Sequence, residues 1–320
     1  MKLLIFLLSI YLCLSFRNTF HKSRFHTHKL QSNSPKLWDV LSSNLKDNAR
    51  NWFIQRAERS GIDWNAITNR YQQELDQLEM IYKMKNNQSM IYPFYYTRPF
   101  HGYDDGNLNW LAALEGEAAT LSMAVNYWKN NDPLLSEKWM RYNVSEHIND
   151  YYLKHKLNLF QSALDVGCSV GISTEYMLKS FPNLNKLTGI DLSPYFLSMA
   201  KYSAATKKLP IKYYHKLAEN TNFKDNSFDF IACNFLFHEV PSQSAKLILK
   251  ELNRILKVNG VLALVDLDQQ YLKDTLIVSP FRKWAFEVTE PHIEEYYKTD
   301  LGVLMEDSDF INIEKKRNDP

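Results

Sequence analysis

Cysteine is scarce in this chain of 320 residues. The three present, Cys13, Cys168 and Cys233, allow no disulfide framework and no zinc spacing. Cys13 falls in a leading apolar run. Cys168 and Cys233 each close a predicted strand, where they read as small buried hydrophobes. An excess of one charge is also missing. Six of the 38 Lys and Arg lie in residues 1–36, which hold no acid, leaving 32 basic against 36 acidic residues beyond. A body acidic on balance, without a Lys/Arg stripe, excludes a broad phosphate-binding face and with it a nucleic-acid partner. The apolar run Leu3 to Leu14, broken at Ser9, is too short for a membrane span of about 20 residues. No internal repeat or long low-complexity tract is present, and the glycine spacing of nicotinamide-binding turns is absent.

What stands at the N-terminus reads as an address. Lys2 and the apolar run have the pattern of a signal-peptide core, and the basic, acid-free stretch from Ser15 to Lys36 that of an organellar transit segment. Together they resemble the two-part leaders of proteins sent to plastids of secondary endosymbiotic origin. The alternatives are a secretory leader with an unstructured tail, giving a secreted or ER protein, and a membrane anchor. Residues 1–36 are therefore assigned to a leader, and the mature form is expected to carry no stable transmembrane anchor.

Residues 37–158 read as a helical region. Trp64 to Lys85 repeats apolar residues at helical spacing, and Leu108 to Trp128 carries Leu111, Leu114, Ala118, Leu121 and Val125 on one stripe. Between them Tyr92 to Asn107 is rich in aromatics, with prolines and glycines that forbid a regular helix. Two readings stay open for this loop. Its aromatics with Arg98, His101 and Tyr103 line a substrate pocket, or it is a strap packed on its neighbours.

Residues 159–320 alternate strands and helices, which implies an α/β fold with a mainly parallel sheet. Strands are predicted near 162–166, 186–191, 211–215, 228–233 and 260–266, and helices near 171–180, 194–206 and 242–257, with Ser193 capping the second. The informative stretch is Ala163 to Gly171, a buried strand opening into a glycine turn and a helix. Asp191 closes the next strand about 20 residues later, where a carboxylate can accept both hydroxyls of a ribose. This is the pattern of a nucleoside cofactor site.

Leu164-Asp-Val-Gly-Cys-Ser-Val-Gly171, Thr188-Gly-Ile-Asp-Leu-Ser193, Ala218-Glu-Asn220, Asp225-Asn-Ser-Phe-Asp229, Phe237-His-Glu-Val-Pro241 and Leu256-Lys-Val-Asn-Gly-Val-Leu262 follow one another in order. The series resembles the class I S-adenosylmethionine-dependent methyltransferases, in the ubiquinone and menaquinone biosynthesis (methyltransferase type 11) branch. Thr289 to Tyr297, Phe310 to Arg317 and the aromatic loop are similar to a plant, algal and cyanobacterial subset. The resemblance implies a Rossmann-like fold, a mostly parallel seven-stranded sheet with helices on both faces, behind an N-terminal helical extension.

It also implies roles. Gly167, Ser169 and Gly171 would wrap the methionine part of S-adenosyl-L-methionine, Asp165 would orient its ammonium, Asp191 would hold the ribose and Leu192 would pack on adenine. Ala218 and Glu219 or Asn220 would face the adenine edge, and Asn234 with Phe235 would lie beside the sulfonium. Two departures are visible. Ser169 replaces the middle glycine of the common turn, which is accommodated if its φ is negative. Leu217 stands where many relatives place an aspartate. His238 is a candidate base oriented by Glu239, or a histidine that merely holds its loop. No metal ligands are assigned.

The function implied is methyl transfer from S-adenosylmethionine to a small molecule, aromatic or lipophilic, with residues 37–158 as lid and substrate platform. The alternatives are a catalytically silent cofactor-binding or assembly protein and a macromolecule methyltransferase. Neither the acceptor nor the oligomeric state is written in the sequence.

Overall fold

The computed structural model of the chain describes residues 2–3, 7–10, 50–51, 53–85, 89–128, 132–277, 283 and 289–317. The transit-like stretch Ser15 to Lys36 and most of the apolar run before it lie outside the described residues. Helices α1 (Trp64–Gln72), α2 (Leu75–Lys85), α3 (Trp110–Tyr127) and α4 (Pro133–Lys154) build the N-terminal region. Three begin on a side-chain cap. Asp63, Asn109 and Asp132 accept the backbone N–H of Ala66, Ala112 and Leu135 at 2.9, 2.8 and 3.1 Å, each satisfying an amide the helix cannot.

The single helix predicted over 64–85 is two. It breaks at Gln73 and Glu74 because its halves pack on different partners. Trp64 joins Ala57, Ile62, Leu121 and Val125, whereas Leu78 joins Ala113, Leu114, Val170 and Met199.

The second half supplies strands β1 (Ser162–Val166), β2 (Lys186–Asp191), β3 (Ile211–His215), β4 (Phe228–Asn234) and β5 (Leu256–Leu267). They pair in parallel in the order β3-β2-β1-β4-β5. Helices α5 (Ile172–Ser180), α6 (Pro194–Thr206) and α7 (Ser242–Ile255) cross between them. Ser193 caps α6 as expected, accepting from Phe196 N–H at 3.2 Å. Helix α7 stops at Ile255, two residues earlier than predicted, because β5 starts at Leu256.

Strand residues alternate between two faces. Leu164, Val166, Ile231, Cys233, Leu262 and Leu264 meet Ala245, Ile248, Leu249 and Leu252 of α7. Ala163, Phe230, Ala232, Val261 and Val265 meet Met177 of α5 and Val144, Ile148 and Tyr151 of α4. Helix α4, inside the region expected to be a lid, is thus also built into the core of the sheet. Ile248 and Leu252 are fully buried, so truncating either to alanine costs about 2–5 kcal/mol.

This parallel sheet with helices on both faces and a helical N-terminal region is a Rossmann-like α/β architecture. Its edge departs from the seven strands expected. After β5 the chain enters helices α8 (Gln269–Ile277), α9 (Ile293–Lys298) and α10 (Leu301–Glu306) instead of returning as long strands. The edge positions are taken by three short parallel pieces. Lys2–Leu3 and Leu7–Ile10 pair with β5, and Phe310–Ile311 pairs with Lys2–Leu3. Among the described residues no helix is long and apolar enough to cross a membrane.

Candidate active site

Parallel register brings the carboxyl ends of β1, β2 and β4 together. Asp165 lies opposite Gly189 and Ala232, Asp191 opposite His215, and Asn234 opposite Val265. Ligands of open α/β sheets bind at this end, where the strand order reverses on either side of β1.

The turn leaving β1 is made of left-handed residues, Gly167 at φ +70°, Ser169 at +48° and Gly171 at +90°. The N–H groups of Gly167 and Cys168 both donate to Ile190 O, at 2.9 and 3.0 Å. A methyl group on Gly171 would stand 2.7 Å from the Tyr213 hydroxyl, and one on Gly167 would stand 3.2 Å from Leu236. Both positions require glycine. The expectation of a negative φ at Ser169 is corrected: the serine occupies the left-handed region, at a cost of roughly 1–2 kcal/mol. Its N–H donates to Asp191 Oδ2 at 2.8 Å, which holds the turn in that shape.

Asp191 is buried, and its other oxygen accepts the Ser193 N–H at 2.7 Å. Burial pushes its pKa up to about 6, against the pull of those amides. A carboxylate offers about four acceptor sites, so capacity for a ligand remains beside the amides of Ser169, Ser193 and Leu192. Asp165 is fully buried and accepts the hydroxyls of Ser173 and Thr174 at 2.6 and 2.7 Å and the Asn234 amide at 3.4 Å. Burial raises it and these donors oppose the rise. Its first task is therefore to tie the start of α5 to the strand tip. Leu192 is buried beside Asp191, and Ala218 is half-buried. Glu219 accepts the Tyr95 hydroxyl at 2.6 Å, and its second oxygen is buried without a partner. Such an unmet acceptor is costly unless a ligand donates to it.

These residues fit S-adenosylmethionine. The features it would use are the left-handed glycine turn, the Asp191 carboxylate at the tip of β2 and the unmet acceptor of Glu219.

The aromatic loop packs against these residues. A short 3-10 turn, Phe94–Thr97, sets its tyrosines. Tyr92 stands over His215 with ring centres 6.0 Å apart, and Tyr95 bonds Glu219. The Tyr96 phenol is pushed up by burial and then by the charges of Asp191 and Glu239. These contacts show the loop packed as a strap on its neighbours. Its far end is fixed by Ser193, whose hydroxyl donates to Asn107 O at 2.6 Å.

The three loop residues singled out in the sequence separate. His101, at φ +53°, has Nε2 3.2 Å from Glu290 and 3.8 Å from Glu239. Tyr103 is spent elsewhere, donating to Glu115, which also pairs with Arg50. Arg98 is exposed and lies 5.2 Å over the Phe94 ring.

Beyond Asn234 the chain passes through Phe235, at φ +56°, into a 3-10 turn, Phe237–Glu239. Left-handed backbone at a bulky residue is strain of a kind that clusters at active sites. Buried His238 has Nδ1 2.7 Å from Asp266 Oδ1. Burial works against its charge, but Asp266 outweighs burial and lifts the imidazole to about 9. The pair with Asp266 holds His238 and its turn in place. Burial raises Glu239 to about 7, with His101 and His238 opposing. Asn107 donates to its Oε2 at 3.4 Å.

Four site residues had no individual role in the sequence reading: Tyr95 within the aromatic loop, Glu290 within the segment Thr289 to Tyr297, Arg141 and Asp266. Arg141 is buried on α4, paired with Glu137 at 2.9 Å and 3.5 Å from Asn234. Its signal was present, since Glu137 and Arg141 fall among Met140, Val144 and Ile148 on the inward stripe. The others carry no local pattern.

Residues 164–264 match the family model described as "Methyltransferase domain". Over 167 residues the chain is 29% identical to a demethylmenaquinone methyltransferase of Staphylococcus aureus strain MRSA252, covering 47% of this chain and 68% of the relative. Over 110 residues it is 34% identical to the namesake protein of strain JH9, covering 34% and 44%. The chain thus spans about two thirds of the first relative and less than half of the second. Among solved structures, an S-adenosylmethionine-dependent methyltransferase of Clostridium acetobutylicum is 23% identical, with 42% of this chain and 54% of that one covered and a TM-score of 0.38. Phosphoethanolamine N-methyltransferase 2 of Haemonchus contortus, solved with S-adenosyl-L-methionine, is 20% identical over 52% and 37%, also with a TM-score of 0.38.

Proposed function

Because residues 164–264 form a class I S-adenosylmethionine-dependent methyltransferase domain of the type 11 branch, we propose that this protein is an enzyme that methylates a small, quinone-like aromatic molecule. Its cofactor is S-adenosylmethionine, which supplies an electrophilic methyl group on a positively charged leaving atom. The domain's tasks are to align a nucleophile and exclude water.

The observation that carries the reading is the Asp191 carboxylate bridging the glycine turn and the start of α6 at the point where β1 and β2 end. Asp191 would hold the ribose hydroxyls, and Leu192 would flank the base. Gly167, Ser169 and Gly171 would turn the backbone around the methionine part. Asp165 is already bonded to Ser173, Thr174 and Asn234, so it would reach the ammonium only through a remaining lone pair or a water. Ala218 and Glu219 would meet the adenine edge, where Glu219 offers its unpaired oxygen.

The acceptor would enter on the side of Asn234, Phe235 and the turn Phe237–Glu239, beneath Tyr96 and His101. Aromatic walls there suit a flat ring. The named activity of the staphylococcal relatives, on a demethylmenaquinone, supports a quinone-like ring as the substrate class. His238 and Glu239 stand as the groups beside the reacting centre. With Nδ1 of His238 committed to Asp266, its Nε2 and the Glu239 carboxylate are the two groups that would receive a proton from the acceptor.

Residues 1–36 we assign to a leader directing the chain into the secretory pathway and onward to a plastid-type organelle, so the edge pieces Lys2–Leu3 and Leu7–Ile10 would leave the sheet with it. Fractionation of a C-terminally tagged protein tests that assignment, and a purely cytosolic signal overturns it. For the activity, the test is to compare metabolites of cells with and without the protein. An unmethylated precursor accumulates on its loss if the reading holds, and identical profiles together with no turnover on quinols would reject it.

A further inference from the structure

At the acceptor side of the site, nitrogen and oxygen donors converge from two distant parts of the chain. One ring nitrogen of His101, one of His238 and a carboxylate oxygen of Glu239 all lie within 4.8 Å of one another. The His101 Nε2 to Glu239 Oε1 distance is 3.8 Å. Ligands on a tetrahedral ion with bonds of about 2.1 Å are themselves roughly 3.4 Å apart, so small side-chain shifts would close the set. The geometry points to a divalent transition-metal site of zinc or iron(II) type, with His101, His238 and Glu239 as ligands and a Glu290 oxygen as a fourth ligand close by.

Each ligand is braced as metal ligands are. Asp266 Oδ1 holds Nδ1 of His238 at 2.7 Å, leaving Nε2 as the donor, the carboxylate-histidine pairing that fixes a ligating imidazole. Asn107 donates to the second oxygen of Glu239 at 3.4 Å. His101 is set by its backbone, with N–H to Thr289 O at 2.9 Å and a left-handed φ of +53°, a conformation kept only where the surroundings impose it.

A second observation bears on the same place. Glu290 lies with one oxygen 3.2 Å from His101 Nε2, and its other oxygen is buried with no partner. Buried acceptors are rarely left unmet without a function. Three carboxylates, those of Glu239, Glu290 and Asp266, surround two imidazoles, an excess of negative charge that a dication would balance. Two histidines and one carboxylate on one side of an ion leave further positions open. The donor set rests on geometry alone. Its use, to bind and polarise an oxygen of the methyl acceptor, rests on the methyltransferase reading.

The test uses the full, tag-free chain dialysed against a chelator, with Co2+ as spectroscopic probe and Zn2+ as competitor. The inference predicts one equivalent of bound Co2+ with visible d–d absorption, displaced by Zn2+. His101→Gln and Glu239→Gln, neither at a fully buried position, should each weaken Co2+ binding by at least about 10- to 100-fold, the cost of losing even an outer-shell partner of a ligand. A protein that unfolds cooperatively yet shows no Co2+ bands overturns the inference, as does binding that neither substitution changes. Calorimetry with S-adenosylmethionine on the same preparation separates the two claims. Cofactor binding without metal removes this site alone, and metal binding without cofactor removes the methyltransferase reading alone.

Discussion

Asp191 accepts the Ser169 N–H at 2.8 Å through one carboxylate oxygen and the Ser193 N–H at 2.7 Å through the other. A single side chain at the tip of β2 therefore shapes the turn after β1 and the start of α6. The same carboxylate is the one proposed to hold the ribose, so cofactor binding and the local fold are coupled at this residue.

That coupling has a pH signature. Asp191 is raised to about 6 by burial, above the usual carboxylate range near 3.9. In the free protein the stability it contributes is complete below about pH 4 and is lost as pH rises through 6, because ionising it opposes burial. Ribose hydroxyls donate to the ionised form, so affinity for S-adenosylmethionine should fall as pH drops below 6. Calorimetric titration between pH 5 and 8 reads this directly, and a flat affinity across that range contradicts it.

Ser169 sits at φ +48°, where glycine is unstrained. Ser169→Gly should stabilise the fold by up to about 1 kcal/mol, the relieved strain being partly offset by the greater freedom of glycine in the unfolded chain. Cofactor affinity should hold or improve. Thermal unfolding measures the first, and a loss beyond about 1 kcal/mol would show that the serine side chain, not the backbone shape, matters here.

Gly116 of α3 is where the N-terminal region presses on the cofactor turn. A methyl group there would stand 2.8 Å from Val170 Cγ1. Gly116→Val should destabilise by about 1–3 kcal/mol through overpacking and weaken cofactor binding, since Val170 lies inside the turn. Unchanged binding in the folded variant would detach α3 from the site.

Tyr95 and Glu219 should behave as a unit. Tyr95→Phe leaves both buried oxygens of Glu219 without a protein donor and should cost about 1–3 kcal/mol. Adding Glu219→Leu should recover much of that loss, since removing both partners costs less than removing one. Additive losses in a double-mutant cycle measured by denaturant unfolding would refute the pairing.

The parts legible in the sequence were those written locally. The predicted strands at 162–166, 186–191 and 211–215 coincide with β1, β2 and β3 because continuous apolar runs bounded by turns have few other solutions. Ser193 was readable as a cap from the proline after it. The interruption at Gln73 was not, since two segments with one helical period diverge only through the partners that Trp64 and Leu78 find. Asp266, Glu290 and Tyr95 were invisible for a related reason. The hydrogen bond from Tyr95 to Glu219 and the approach of Glu290 to His101 span more than a hundred residues, and nothing near them in the chain marks the meeting. The left-handed Ser169 was missed because an acceptor 22 residues away supplies what glycine would have made free.

The central claim is that S-adenosylmethionine binds over the tip of β1 with its ribose on Asp191. Isothermal calorimetry of the full chain and of Asp191→Ala, each shown to be folded by cooperative unfolding, tests it most directly. The account predicts saturable binding at one site per chain and a loss of affinity of at least about tenfold in the variant, the value of a hydrogen bond to a charged group. No binding by the unaltered chain, or equal affinity in the two proteins, would contradict it.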